Sequence, residues 1–126
     1  MMRALALFML LASCFGQTTS KECHDRYAQD LEAKPSSSLA HYRIAECVIK
    51  LRDLQTAANE LRAALSGDLE PRWVEVWSWI YMGKIFDTSG QRQRALNEYR
   101  LAEETRDDTF HAQDEVARCK ESPCKI

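Results

Sequence analysis

Two sets of side chains in this chain could do chemistry: the cysteines with their neighbouring histidines, and one strip of aromatics. Cys23-His24, with His41 and Cys47, offers sulfur and imidazole donors of the kind that hold structural zinc. The segments 21–34 and 39–51 read as helices, and pairing them antiparallel about Ser36 puts Cys23 opposite Ile49, close to Cys47, while His24 and His41 fall well apart. Three pairings of Cys23, Cys47, Cys119 and Cys124 are possible, and of these Cys23–Cys47 with Cys119–Cys124 is expected, with a disulfide favoured over a metal site at the first pair. The aromatic strip is Trp73, Trp77 and Tyr81, at i, i+4 and i+8 of one helix. Beside it, Val76, Trp79, Met82, Gly83 and Phe86 recur at intervals of three and four, the spacing of a buried face. A helix with two apolar faces needs two neighbours, or one neighbour and a ligand.

Other chemistry is not signalled. Gly83-Lys84 lacks the glycine-rich loop of a phosphate cradle, and no nucleophile elbow, paired-cysteine metal spacing or H-E-x-x-H occurs. The expectation is a protein that is not an enzyme and that carries no metal or cofactor. A formal net charge of −2, with Lys and Arg interleaved among Asp and Glu, gives no basic footprint for nucleic acid. Hydrophobic content of 45%, 29% charged residues, three prolines and four glycines describe one modest helical domain in 126 residues.

Residues 1–16 carry one positive charge, an unbroken apolar run and then small residues, the layout of a secretory signal. The run from Ala4 to Gly16 is shorter than the roughly 20 residues a bilayer requires. Leu11-Ala12-Ser13-Cys14 resembles a bacterial lipobox, so Cys14 is a lipidation candidate, while cleavage after Cys14 or Gly16 would leave a soluble exported form. Export to an oxidising compartment favours disulfides over free thiols for Cys23, Cys47, Cys119 and Cys124.

Six helices are expected after this leader. The first spans Lys21 to Lys34, and Pro35-Ser-Ser-Ser38 stops it and offers hydroxyls to cap the second, Leu39 to Leu51. Asp53 caps the third, which Gly67 ends. The fourth is the aromatic stretch, with Pro71 suited to its first position and Gly90 to the residue just past its end. Gln91 to Glu104 is the fifth, and Asp107 or Asp108 caps a sixth running through Phe110, Ala112, Val116 and Cys119. No alternating run long enough for a strand occurs, so the class is all-α, and short connections imply antiparallel pairs.

The pairs repeat. Ala45, Val48, Ala57 and Ala64 recur at the same offsets as Gly83, Phe86, Ala95 and Ala102, with small residues where facing helices approach closely. Trp79-x-x-Met82-Gly83-x-x-Phe86, followed by Gly90, Ala95, Tyr99 and Ala102, resembles the tetratricopeptide repeat, a helix–turn–helix unit of about 34 residues. The first unit has His41 where that pattern has a bulky tryptophan, and the interval from Ala45 to Gly83 is one helical turn too long. Arg72 to Glu75 accounts for that turn and carries Trp73; Asp107 stands where the pattern closes with proline. The divisions this implies are a leader over 1–16, a connector and half-repeat helix over 17–37, two units over 38–106, and a capping helix and tail over 107–126.

The resemblance implies a short solenoid whose first helices line a concave surface. Leu39, Tyr42, Arg43, Glu46 and Lys50 of one unit and Trp77, Ile80, Tyr81 and Lys84 of the next would line it, extended by Trp73. The function expected is an exported module or scaffold binding a peptide or protein partner through that groove at a bacterial envelope, periplasmic, outer-membrane-associated or secreted. The alternative is a structural subunit of an envelope assembly or homo-oligomer without a peptide ligand.

Overall fold

The computed structural model describes residues 17–126; the expected leader and Cys14 lie outside the described residues. Those residues are all-helical, without a strand: α1 (Ser20–Arg26), α2 (Ala28–Ala33), α3 (Ser38–Lys50), α4 (Leu54–Leu65), α5 (Trp73–Thr88), α6 (Arg92–Glu104) and α7 (Ala112–Glu121). A 3₁₀ turn, Thr109–His111, precedes α7.

Local chemistry sets most boundaries where the sequence signals them. Ser37 and Asp53 cap α3 and α4, their side-chain oxygens accepting from the Ala40 and Thr56 amides at 3.2 Å each. Gly90, at φ 73°, closes α5 in the left-handed conformation. The Gln91 amide then reaches the Phe86 carbonyl at 2.8 Å and the Gly90 amide the Asp87 carbonyl at 3.1 Å, which satisfies the last turn.

Three boundaries differ from expectation. α5 begins at Trp73 with Arg72 at its N-cap, so Pro71 lies before the helix and not at its first position. The first helix is two short ones, broken at Tyr27, whose amide bonds the His24 carbonyl three residues back instead of continuing the α pattern. α2 has no fully buried residue and meets the core only through the partly buried Leu31, so little packing holds it on the axis of α1. The last helix starts at Ala112, not before Phe110. The Asp107 carboxylate takes the Thr109 amide at 2.8 Å in a turn of its own, and Phe110 and His111 follow at φ 57° and 58°.

α5 is the central element, in contact with α3, α4, α6 and α7. That is why Val74, Val76, Ile80, Met82, Ile85 and Phe86 are all buried, on more than one face. Ile80, expected on a concave surface, is 0% exposed, and Trp79, expected in the core stripe, is only partly buried. The small residues Ala45, Ala57, Ala64, Ala95 and Ala102 are fully buried. Gly83 shows why: a Cβ there would overlap the ring of the buried Tyr99 on α6.

Two disulfides close the ends. Cys23–Cys47 joins α1 to α3, with Cα atoms 5.8 Å apart, and Cys119–Cys124 joins α7 to the tail, at 5.2 Å. Both pairings are those expected from the sequence.

Candidate functional site

α3 and α5 lie side by side, and the 3₁₀ turn folds over the N-terminal half of α5. α3 supplies Tyr42, Arg43 and Glu46; α5 supplies Trp73, Trp77 and Tyr81; the turn adds Phe110. Together they line an open cavity of about 290 Å³. Two of the four ring pairs meet edge to face and two are tilted. Trp73 stands 5.3 Å from Tyr42 with planes at 84°, and 5.5 Å from Phe110 at 74°. Tyr81 lies 6.0 Å from Tyr42 and 6.3 Å from Trp77. The Trp77 indole N–H donates to the Thr109 carbonyl at 3.0 Å, so the helix holds the turn in place.

Charge enters from the rim. The Arg43 guanidinium lies 5.4 Å from the Trp73 ring centre and 5.9 Å from that of Tyr42, and donates to Glu46 Oε1 at 2.7 Å. Burial, with Glu46 nearby, pushes both tyrosine hydroxyls above the ordinary phenol range, so the floor stays neutral at physiological pH. Lys84 sits 5.6 Å over the Tyr81 ring but is ion-paired to Glu115 of α7 at 2.7 Å. The Arg118 hydrogen bond first, and then Lys84, draw Glu115 down to about 2 against the opposing effect of burial.

Six of the seven expected groove residues thus converge on one cavity. Lys84 does not line it: α7 packs alongside α5 and engages its ammonium. Tyr42 lines it as a buried floor, 4% exposed. Lys50 is exposed elsewhere, and Leu39 borders a second cavity of about 470 Å³ with Tyr27, Asp30 and Arg43. Phe110 was not among the expected site residues, because its place in a helical spacing hid it. The Asp107–Thr109 turn chemistry was the available signal, and it leaves Phe110 outside the helix and 68% exposed.

The metal reading loses its sulfurs to the Cys23–Cys47 bridge. Its two histidines, expected well apart, instead share a carboxylate across the helix pair, His24 Nε2 and His41 Nδ1 each lying 2.7 Å from an oxygen of Glu60 on α4. Among the described residues, Glu115, Cys119 and Cys124 also bring a carboxylate and two sulfurs within 4.8 Å, but those sulfurs form the second disulfide. Against protein-family models, curated proteins and solved structures, the chain has no match.

Proposed function

We propose that this chain is an exported, tetratricopeptide-like interaction module, in which stacked antiparallel helix pairs present an aromatic groove to a peptide or protein partner at the cell envelope. The observation that carries this reading is the cavity itself: Trp73, Trp77 and Phe110 are gathered at an opening rather than sealed in the core. Aromatics with an arginine at a concave surface are the composition of partner-binding hot spots. The buried small residues at equivalent positions of α3–α4 and α5–α6 support the repeat, and two disulfides suit an oxidising compartment. A lipid on Cys14 would hold the module at a membrane, and the intact mass of the exported protein tests that: a form beginning at Gln17 without acyl mass removes the anchor.

Capture from an envelope extract tests the surface. Wild-type protein should retain a partner that Trp73→Ala loses, with binding weakened by about 2 kcal/mol or more. Trp79→Ala, which alters a separate cavity bordered by Arg62, Arg94 and Glu98, should retain it. Retention by Trp73→Ala defeats the proposal. Self-association in sedimentation that Trp73→Ala abolishes would replace it with the subunit reading.

A further inference from the structure

The aromatic cavity already holds a cation, and that cation is the chain's own. Arg43 touches two ring faces and a carboxylate: Trp73 at 5.4 Å, Tyr42 at 5.9 Å and Glu46 at 2.7 Å. These contacts suit a guanidinium leaving water, because ring faces carry negative potential and a carboxylate accepts a charge-assisted hydrogen bond. The rest of the cavity extends the same chemistry. Trp77, Tyr81 and Phe110 add three more rings, and Glu46 is the one carboxylate among its lining residues.

Arg43 is also a replaceable occupant. It comes from the rim with its side chain 42% exposed, and it borders the second cavity, where Asp30 offers another carboxylate. A swing toward Asp30 would free Trp73, Tyr42 and Glu46 together. Phe110 is displayed over Trp73 by two successive residues in left-handed conformation, neither of them glycine. Such a conformation is unfavourable for both, and it sets an exposed aromatic wall at the mouth of the cavity.

Resting on the reading of this face as the partner-binding surface, we propose that the cavity receives an arginine side chain of the partner, which displaces Arg43 from Trp73 and Tyr42 and takes over Glu46. The exchange forms and breaks no covalent bond. The resident ion pair lowers apparent affinity by the fraction of time Arg43 occupies the site.

The test is titration of the mature protein with N-acetylarginine amide and with N-acetylcitrulline amide, its neutral near-isostere, followed by tryptophan fluorescence and the indole N–H resonances. The arginine probe should bind at least about tenfold more tightly than the citrulline probe. Arg43→Gln should tighten arginine binding several-fold, while Trp73→Ala and Glu46→Gln should each weaken it about tenfold with melting temperature retained. Equal binding of the two probes, weaker arginine binding by Arg43→Gln, or no binding by either protein overturns the inference. Each of those results leaves the surface reading standing if Trp73→Ala still loses the captured partner; only indifference of the partner to Trp73 defeats that reading.

Discussion

The two ends of α5 solve opposite problems. At its C-terminal end Asp87 is 2% exposed and accepts from the Tyr99 hydroxyl at 2.7 Å, the Cys124 amide at 2.8 Å and Arg92 at 3.0 and 3.1 Å. Burial opposes its charge, but the Cys124 amide, Tyr99 and Arg92 together outweigh burial and hold the carboxyl below its ordinary range. The same hub ties α6 and the tail to α5. At the N-terminal half, Trp73, Trp77 and Tyr81 are partly buried, and ring faces remain open to a cavity. A buried carboxylate with its acceptors used can only hold the fold together, whereas aromatic faces with room beside them have capacity for a ligand.

Substitutions can break that contrast, beginning with the closed end. Asp87→Ala should cost about 3–5 kcal/mol in urea unfolding, because it strands the Tyr99 hydroxyl, the Cys124 amide and a partly covered arginine. The same carboxylate contributes stability above its ordinary pKa of 3.8, and that contribution should be lost as pH falls through its lower folded value. Melting curves below pH 4 would show it, and Asp87→Asn should flatten that dependence. Gly83→Ala drives a methyl into the Tyr99 ring beside the hub and should cost about 1–3 kcal/mol. A neutral result there would mean that Tyr99 moves freely and the end is less tightly closed than its hydrogen bonds indicate.

Changes at the open end should be milder. Trp77→Phe keeps a ring but removes the hydrogen bond to Thr109, about 1 kcal/mol by thermal unfolding, and should loosen the turn that carries Phe110. Phe110→Ala should change stability by less than about 0.5 kcal/mol, since the side chain is mostly exposed. A large loss from Phe110→Ala would make the turn part of the core and end the contrast. The smallest effect concerns the far end of the chain, where His24 links α1 to Glu60 of α4. The Ser20 carbonyl chiefly, against burial, and then Glu60 raise the His24 pKa. A raised pKa stabilises the fold below the ordinary 6.5, and that contribution is lost as pH rises through the folded value. Amide exchange in α1 should quicken above that value, and His24→Gln should remove the pH dependence.

The caps were legible because they depend on short-range pattern. Ser37, Asp53 and Gly90 act on amides and carbonyls a few residues away, so their chemistry can be read without knowing what lies across the fold. The Cys23–Cys47 bridge was legible for a related reason, since two helices joined by a short turn fix which residues can face one another. Most of the aromatic site was readable as a strip on one helix, but its completion was not. Periodicity placed Phe110 inside a helix because an aromatic at helical spacing looks the same whether its backbone is helical or not. The left-handed pair Phe110-His111 follows the Asp107–Thr109 turn, which the Trp77 hydrogen bond fixes against α5.

By itself, the sequence determined the helical class, the caps at Ser37, Asp53 and Gly90, and the strip Trp73, Trp77, Tyr81. All of these follow from spacing along a helix and from the few residue types that satisfy its ends. Only the tertiary structure decided that Ile80 is sealed inside, that Trp79 is left partly exposed, that Lys84 is engaged by Glu115, and that Tyr42 is the floor of the cavity. Those outcomes depend on how many neighbours surround α5 and on which side each stands. A helical repeat in sequence records which residues share a face; it does not record how many faces will be covered.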